Sequence, residues 1–152
     1  MTMTEPMVLE EPMKSFVLRF RGRIMDDDPL KNILNGQQFE FTDAQIVGFI
    51  LESQAFINET EPRTQYRLER FPKSALLLDG AMMVMLEARG LLHLRNQISV
   101  SDAGFSVNLD DKSGFYAQWL NQKATVFYQN LRAFKRSCIP KFKGVNSPLG
   151  YW

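Results

Sequence analysis

Cysteine and histidine each occur once in the 152 residues, as Cys138 and His93. That excludes an intrachain disulfide and any Cys/His zinc cluster, and it fits a reducing compartment or indifference to one. No glycine-rich phosphate loop, nucleophile elbow or zinc-ligand spacing occurs along the chain. Long apolar runs are missing too. The best stretch, Ala75 to Leu94, is broken by Asp79, Glu87, Arg89 and His93, and its longest uncharged run is Gly80 to Leu86, too short to cross a bilayer. Basic residues are absent from Met1 to Met13, which holds three glutamates and two prolines, so a signal peptide is not expected there. The net charge is only +1, which gives no global attraction to nucleic acid or membrane. What is present, 45% hydrophobic and 23% charged residues, is ordinary for one soluble globular domain.

Charge is nevertheless uneven. Lys112, Lys123, Arg132, Lys135, Arg136, Lys141 and Lys143 are the only charged residues from Lys112 to Trp152. The basic stretch begins on an amphipathic pattern and continues into Lys141-Phe142-Lys143-Gly144-Val145-Asn146-Ser147-Pro148-Leu149-Gly150-Tyr151-Trp152. An aromatic, basic segment punctuated by proline and glycine reads as a part made to dock on something else.

The pattern along the chain predicts a mainly α protein: a helical bundle with a small β element and an extended C-terminal tail. Three regions are expected: a flexible arm over 1–14, a helical domain over 15–139 and a docking tail over 140–152. Phe16, Leu18 and Phe20 alternate with Val17, Arg19 and Arg21, which predicts a short half-buried strand from Phe16 to Ile24. Asp28-Pro29 opens a brief helix that Asn35-Gly36 can end. Thr42-Asp43-Ala44-Gln45 is a capping box, with Phe41 and Ile46 placed as a hydrophobic staple. Ile46, Phe49, Ile50, Ser53, Phe56 and Ile57 form the stripe of the helix that follows. Glu59 to Glu69 is polar and contains Pro62, and reads as a loop or poorly ordered extended piece. Phe71-Pro72 opens a central helix that is apolar nearly all round, with Gly80, Ala81 and Ala88 as close-approach points. A hairpin is expected over 98–109, with Gly104 in its turn. Asp110 or Asp111 then caps a last helix, whose stripe is Tyr116, Trp119, Leu120, Lys123, Phe127, Leu131 and Phe134; Pro140 stops it.

Each candidate for chemistry has a plainer reading. Asp26-Asp27-Asp28 could bind a divalent cation, yet no spaced partners follow and Asp28 is already accounted for as a cap. His93 and Cys138 are a nucleophile–base pair only by elimination; a lone histidine ending a buried helix more often hydrogen-bonds, and a lone cysteine more often packs. No enzyme, metal, cofactor or small-molecule site is expected. The basic end has three readings: a solvated helix face, a nucleic-acid contact through Arg132, Lys135, Arg136, Lys141 and Lys143, or docking on an acidic protein surface.

The order of motifs says more than any single one. Asn32-Ile33-Leu34 precedes Glu40-Phe41-Thr42-Asp43-Ala44-Gln45-Ile46, followed by Phe56-Ile57-Asn58-Glu59 with Pro62 and then Phe71-Pro72-Lys73-Ser74-Ala75-Leu76-Leu77-Leu78-Asp79-Gly80-Ala81. Arg95-Asn96-Gln97, Ser101-Asp102-Ala103-Gly104, Tyr116, Lys135-Arg136 and Asn146-Ser147-Pro148 with Tyr151 complete the series. From Phe16 to Trp152 the chain resembles the small neck proteins of tailed bacteriophages, called adaptor, head-completion or head-to-tail connector proteins. That resemblance implies a virion protein, assembled from the host cytoplasm into a ring that is usually twelvefold. It would connect the portal protein above to a tail or stopper protein below and surround a DNA channel. By position, the portal-docking tail would comprise Lys141, Phe142, Lys143, Val145, Pro148, Leu149, Tyr151 and Trp152. Arg132, Lys135 and Arg136 would face DNA or an acidic partner. No membrane contact is implied.

Overall fold

The computed structural model describes residues 8–33, 36–95, 99–102, 105–108 and 113–139. It is mainly helical, with α1 (Met13–Ile24), α2 (Asp43–Glu59), α3 (Ser74–Arg95) and α4 (Ser113–Cys138). Between α3 and α4, the segments Ser99–Asp102 and Phe105–Asn108 lie antiparallel, with Val100 opposite Val107. The expected tail, the Asp110/Asp111 cap, Gly104 and Pro140 lie outside the described residues, as do the residues before Val8.

α3 is the centre of the bundle and packs against α1, α2 and α4. Its all-round apolarity is the cause: Leu76, Leu77, Leu78, Ala81, Met82, Met83, Met85 and Leu86 are all buried. The tightest point is Gly80. A Cβ there would stand 2.2 Å from the Ser53 hydroxyl of α2 and 3.1 Å from the Phe127 ring of α4. Ser53 can be buried because it donates to the Leu77 carbonyl at 2.8 Å, so no polar atom is stranded. α4 runs antiparallel to α3, since Lys73 lies over the Phe134 ring while Gly80 meets Phe127.

α2 starts where its capping box predicts. The Thr42 hydroxyl accepts from the Gln45 amide at 3.3 Å, and the Gln45 side chain accepts from the Thr42 amide at 2.9 Å. Phe41 and Ile46 are both buried, as a staple requires. Asp28 caps a shorter element than expected, a single 3-10 turn over Pro29–Lys31, by accepting from the Leu30 amide. The stripe of α4 buries Phe127, Leu131 and Phe134, while Trp119 and Lys123 are exposed.

The strand expected over Phe16–Ile24 is instead α1. The alternation grouped Leu18 with Phe16 and Phe20, but Leu18 is 61% exposed and Val17 only 3%. The true stripe is Met13, Phe16, Val17, Phe20 and Ile24, at helical spacing. α1 also takes in Met13 and Lys14 of the expected arm over 1–14, and Leu9, before the helix, packs against the core with Met13.

A buried ion pair joins α1 to the segment before α2. Arg21 donates to Asp26 at 2.8 Å, to the Phe41 carbonyl at 2.9 Å and to Asp43 at 2.7 Å. The Asp26 carboxylate also accepts from the Asn32 side chain and from the amides of Glu40 and Phe41. Asp26 is thus fully occupied by protein donors, and the three aspartates take separate roles: Asp27 pairs at the surface with Lys31, and Asp28 caps. Asp26→Ala should lower stability by about 3–5 kcal/mol, because it leaves the Arg21 guanidinium buried beside two unpaired amides. The urea midpoint should fall at unchanged slope. Asp43→Ala, at the exposed side of the same arginine, should cost much less.

Candidate functional site

The C-terminal end of α4 is where charge and order meet. Its basic residues do not form one patch. Arg132 and Arg136 are exposed, with no partner among the described residues. Lys135, expected beside them as a DNA or acidic-partner contact, is only 3% exposed. Its ammonium donates to the Pro62 carbonyl at 3.0 Å and to the Thr64 hydroxyl at 2.9 Å. Burial lowers the Lys135 pKa, against the opposing influence of Cys138 and Glu61. Lys135 therefore holds the chain together, and the surface assignment is corrected.

The anchor works because the connector it grips is itself fixed. Asn58 on α2 accepts from the Thr64 hydroxyl and the Tyr66 amide, and donates to the Tyr66 carbonyl. Gln54 donates to the same carbonyl at 2.8 Å. The stretch after α2, expected as a loop or poorly ordered piece, is a pinned strap. Tyr66 lies edge-on to Phe71 and tilted on Phe134, with its hydroxyl 3.7 Å from the Cys138 sulfur. The Tyr66 pKa is raised, first by that hydrogen bond and then by burial. Cys138 also donates to the Phe134 carbonyl. His93 does not share this corner. It lies some twenty residues along α3 from the Lys73 end, about 30 Å at helical rise, and its side chain lies outside the described residues.

A second feature lies between α2, α3 and α4. A groove of about 290 Å³ is floored by Gly80, Met83, Val84 and Phe127 and walled by Phe56 and Tyr128. Phe56 and Tyr128 are 43% and 42% exposed, large aromatic surfaces left at the opening. Glu52, Glu59 and Glu87 line it as well. All three are exposed, and none is paired with a cation among the described residues. Phe56, expected in the core stripe of α2, instead stands at its edge, where it shares one flank of the helix with Glu52 and Glu59.

The portal-docking candidates Lys141, Phe142, Lys143, Val145, Pro148, Leu149, Tyr151 and Trp152 lie outside the described residues. Compared with protein-family models, curated proteins and solved structures, the chain matches none.

Lys135→Met should destabilise the protein by about 1–3 kcal/mol, because the Pro62 carbonyl loses its donor. It should also remove a pH dependence. A lysine whose folded pKa lies below its unfolded value holds fewer protons when folded, so its burial cost is relieved as pH rises through the interval below 10.5. The stability difference between wild type and variant, measured by urea denaturation, should grow across that interval.

Proposed function

We propose that this chain is a structural virion protein of a bacteriophage neck. It forms a ring, of twelve copies by the resemblance, that connects the portal to the tail or stopper below and surrounds the DNA channel. The tail from Lys141 to Trp152 docks on the portal, and the paired segments Ser99–Asp102 and Phe105–Asn108 are the small β element of this architecture.

One observation carries most weight beside the order of motifs: the end of α4 is clamped. Lys135, Tyr66 and Cys138 fix the helix up to its last turn, and Ile139 follows it at the surface. A segment that leaves from a fixed root starts in a defined direction, which lowers the ordering cost of docking on a partner. The core of α1 to α4 and the Lys135 anchor all lie before Phe142, so the chain truncated of Phe142 to Trp152 should still fold. It should fail to join portal oligomers in a pull-down. Undiminished joining rejects the docking role.

Arg132 and Arg136 favour a second reading, a small nucleic-acid-binding protein. Both are exposed and unpaired among the described residues, and Lys141 and Lys143 follow in sequence. Those four cations, without Lys135, predict DNA affinity that falls with salt at a log–log slope of at most about −3.6. A flat response, or no binding at low salt, removes this reading.

A further inference from the structure

We propose that the acidic aromatic groove between α2, α3 and α4 receives Lys141-Phe142-Lys143 from a second copy of this chain.

The chemistry of the two parts matches. The groove offers an apolar floor and two exposed rings, with three glutamates around them that pair with no cation among the described residues. The segment offers one aromatic residue between two lysines, in a stretch with no acidic residue from Lys112 onward. In an extended chain successive side chains point to opposite sides. Phe142 can then enter the floor, against Met83, Val84 and Phe127, while Lys141 and Lys143 rise to the carboxylates at the rim. Aromatic anchoring supplies the binding and the charges set its register.

Chain length decides which copy supplies the segment. α4 contributes Phe127 and Tyr128 to the groove. Ile139 lies twelve residues beyond Phe127, about 18 Å further along the helix axis. Phe142 follows only three residues later, and three extended residues span at most about 11 Å. The Lys-Phe-Lys segment falls short of its own groove and must enter that of a neighbour.

Such a contact is heterologous: the tail root of one copy meets the groove of the next. It closes into a ring or extends as a filament, depending on the rotation per step. This rests on the ring reading and deepens it by giving it a side-to-side contact; it moves Lys141 to Lys143 from the portal to the neighbouring copy and leaves Val145 to Trp152 for the portal.

Sedimentation velocity on the full chain tests it. Wild type should self-associate as concentration rises towards millimolar, and high salt should weaken this. A groove variant, Glu59→Lys with Glu87→Lys, and a tail variant, Phe142→Ala with Lys143→Ala, should each weaken association on the order of tenfold or more. Glu59 and Glu87 are exposed, and circular dichroism checks that both variants fold. Mixed together, the variants should form a one-to-one heterodimer that grows no further, since only one intact tail and one intact groove can meet. A wild-type chain that stays monomeric at millimolar concentration overturns the proposal. So do variants that associate like wild type, or a mixture that forms no heterodimer. The groove variant keeps the whole tail, so joining to portals can be scored separately: a wild-type chain that joins portals but does not self-associate rejects the groove contact alone, and one that self-associates but does not join portals rejects the portal reading alone.

Discussion

Three helices meet where Gly80 lets them. A methyl group at that position would collide with the Ser53 hydroxyl and press tightly on the Phe127 ring. Ser53 is held by its bond to the Leu77 carbonyl, one turn before Gly80, so it has little freedom to yield. The same close approach shapes the core and the surface. It brings α2 and α4 onto α3, and it leaves Phe56 and Tyr128, packed edge-on against each other, beside an opening that Gly80 itself lines. The groove is a by-product of the packing that builds the bundle, and it cannot be altered at its base without disturbing that packing.

α1 is attached on different terms. It contributes Phe16, Val17 and Phe20 to the apolar core, but its orientation is fixed by polar contacts. Arg19 reaches Ser74 and Arg23 reaches Asp79, both on α3, while Arg21 is buried against Asp26 and Asp43. The buried pair is tolerable because Asp26 receives further donors from Asn32, Glu40 and Phe41, so neither charge is left with unmet hydrogen bonds. This network joins the end of α1 to the start of α2 across a connection that has little regular structure of its own.

Much of this is legible in the sequence. The Thr42–Gln45 box, the Phe41–Ile46 staple, the cap at Asp28 and the encircled α3 all depend on neighbours close in sequence, and local pattern reads such features well. α1 was misread because three apolar residues at every second position imitate a strand; the decision lay in Val17 and Leu18, whose burial depends on where α2 and α3 pack. Lys135 was misread for a related reason. Its partners are Pro62 and Thr64, more than seventy residues away, and nothing near Lys135 announces them. The acidic groove is less legible: Phe56 reads as part of the core stripe, and Glu87 and Tyr128 join it only through tertiary packing.

The clamp at the end of α4 has a mechanical consequence. Traction applied beyond Ile139 would reach the Lys135 and Tyr66 contacts before it could peel the helix from Leu131. Those contacts tie to a strap that Asn58 and Gln54 hold on α2. Tension would thus be shared between the last helix and the second, and the bundle would resist as one body instead of fraying from its end.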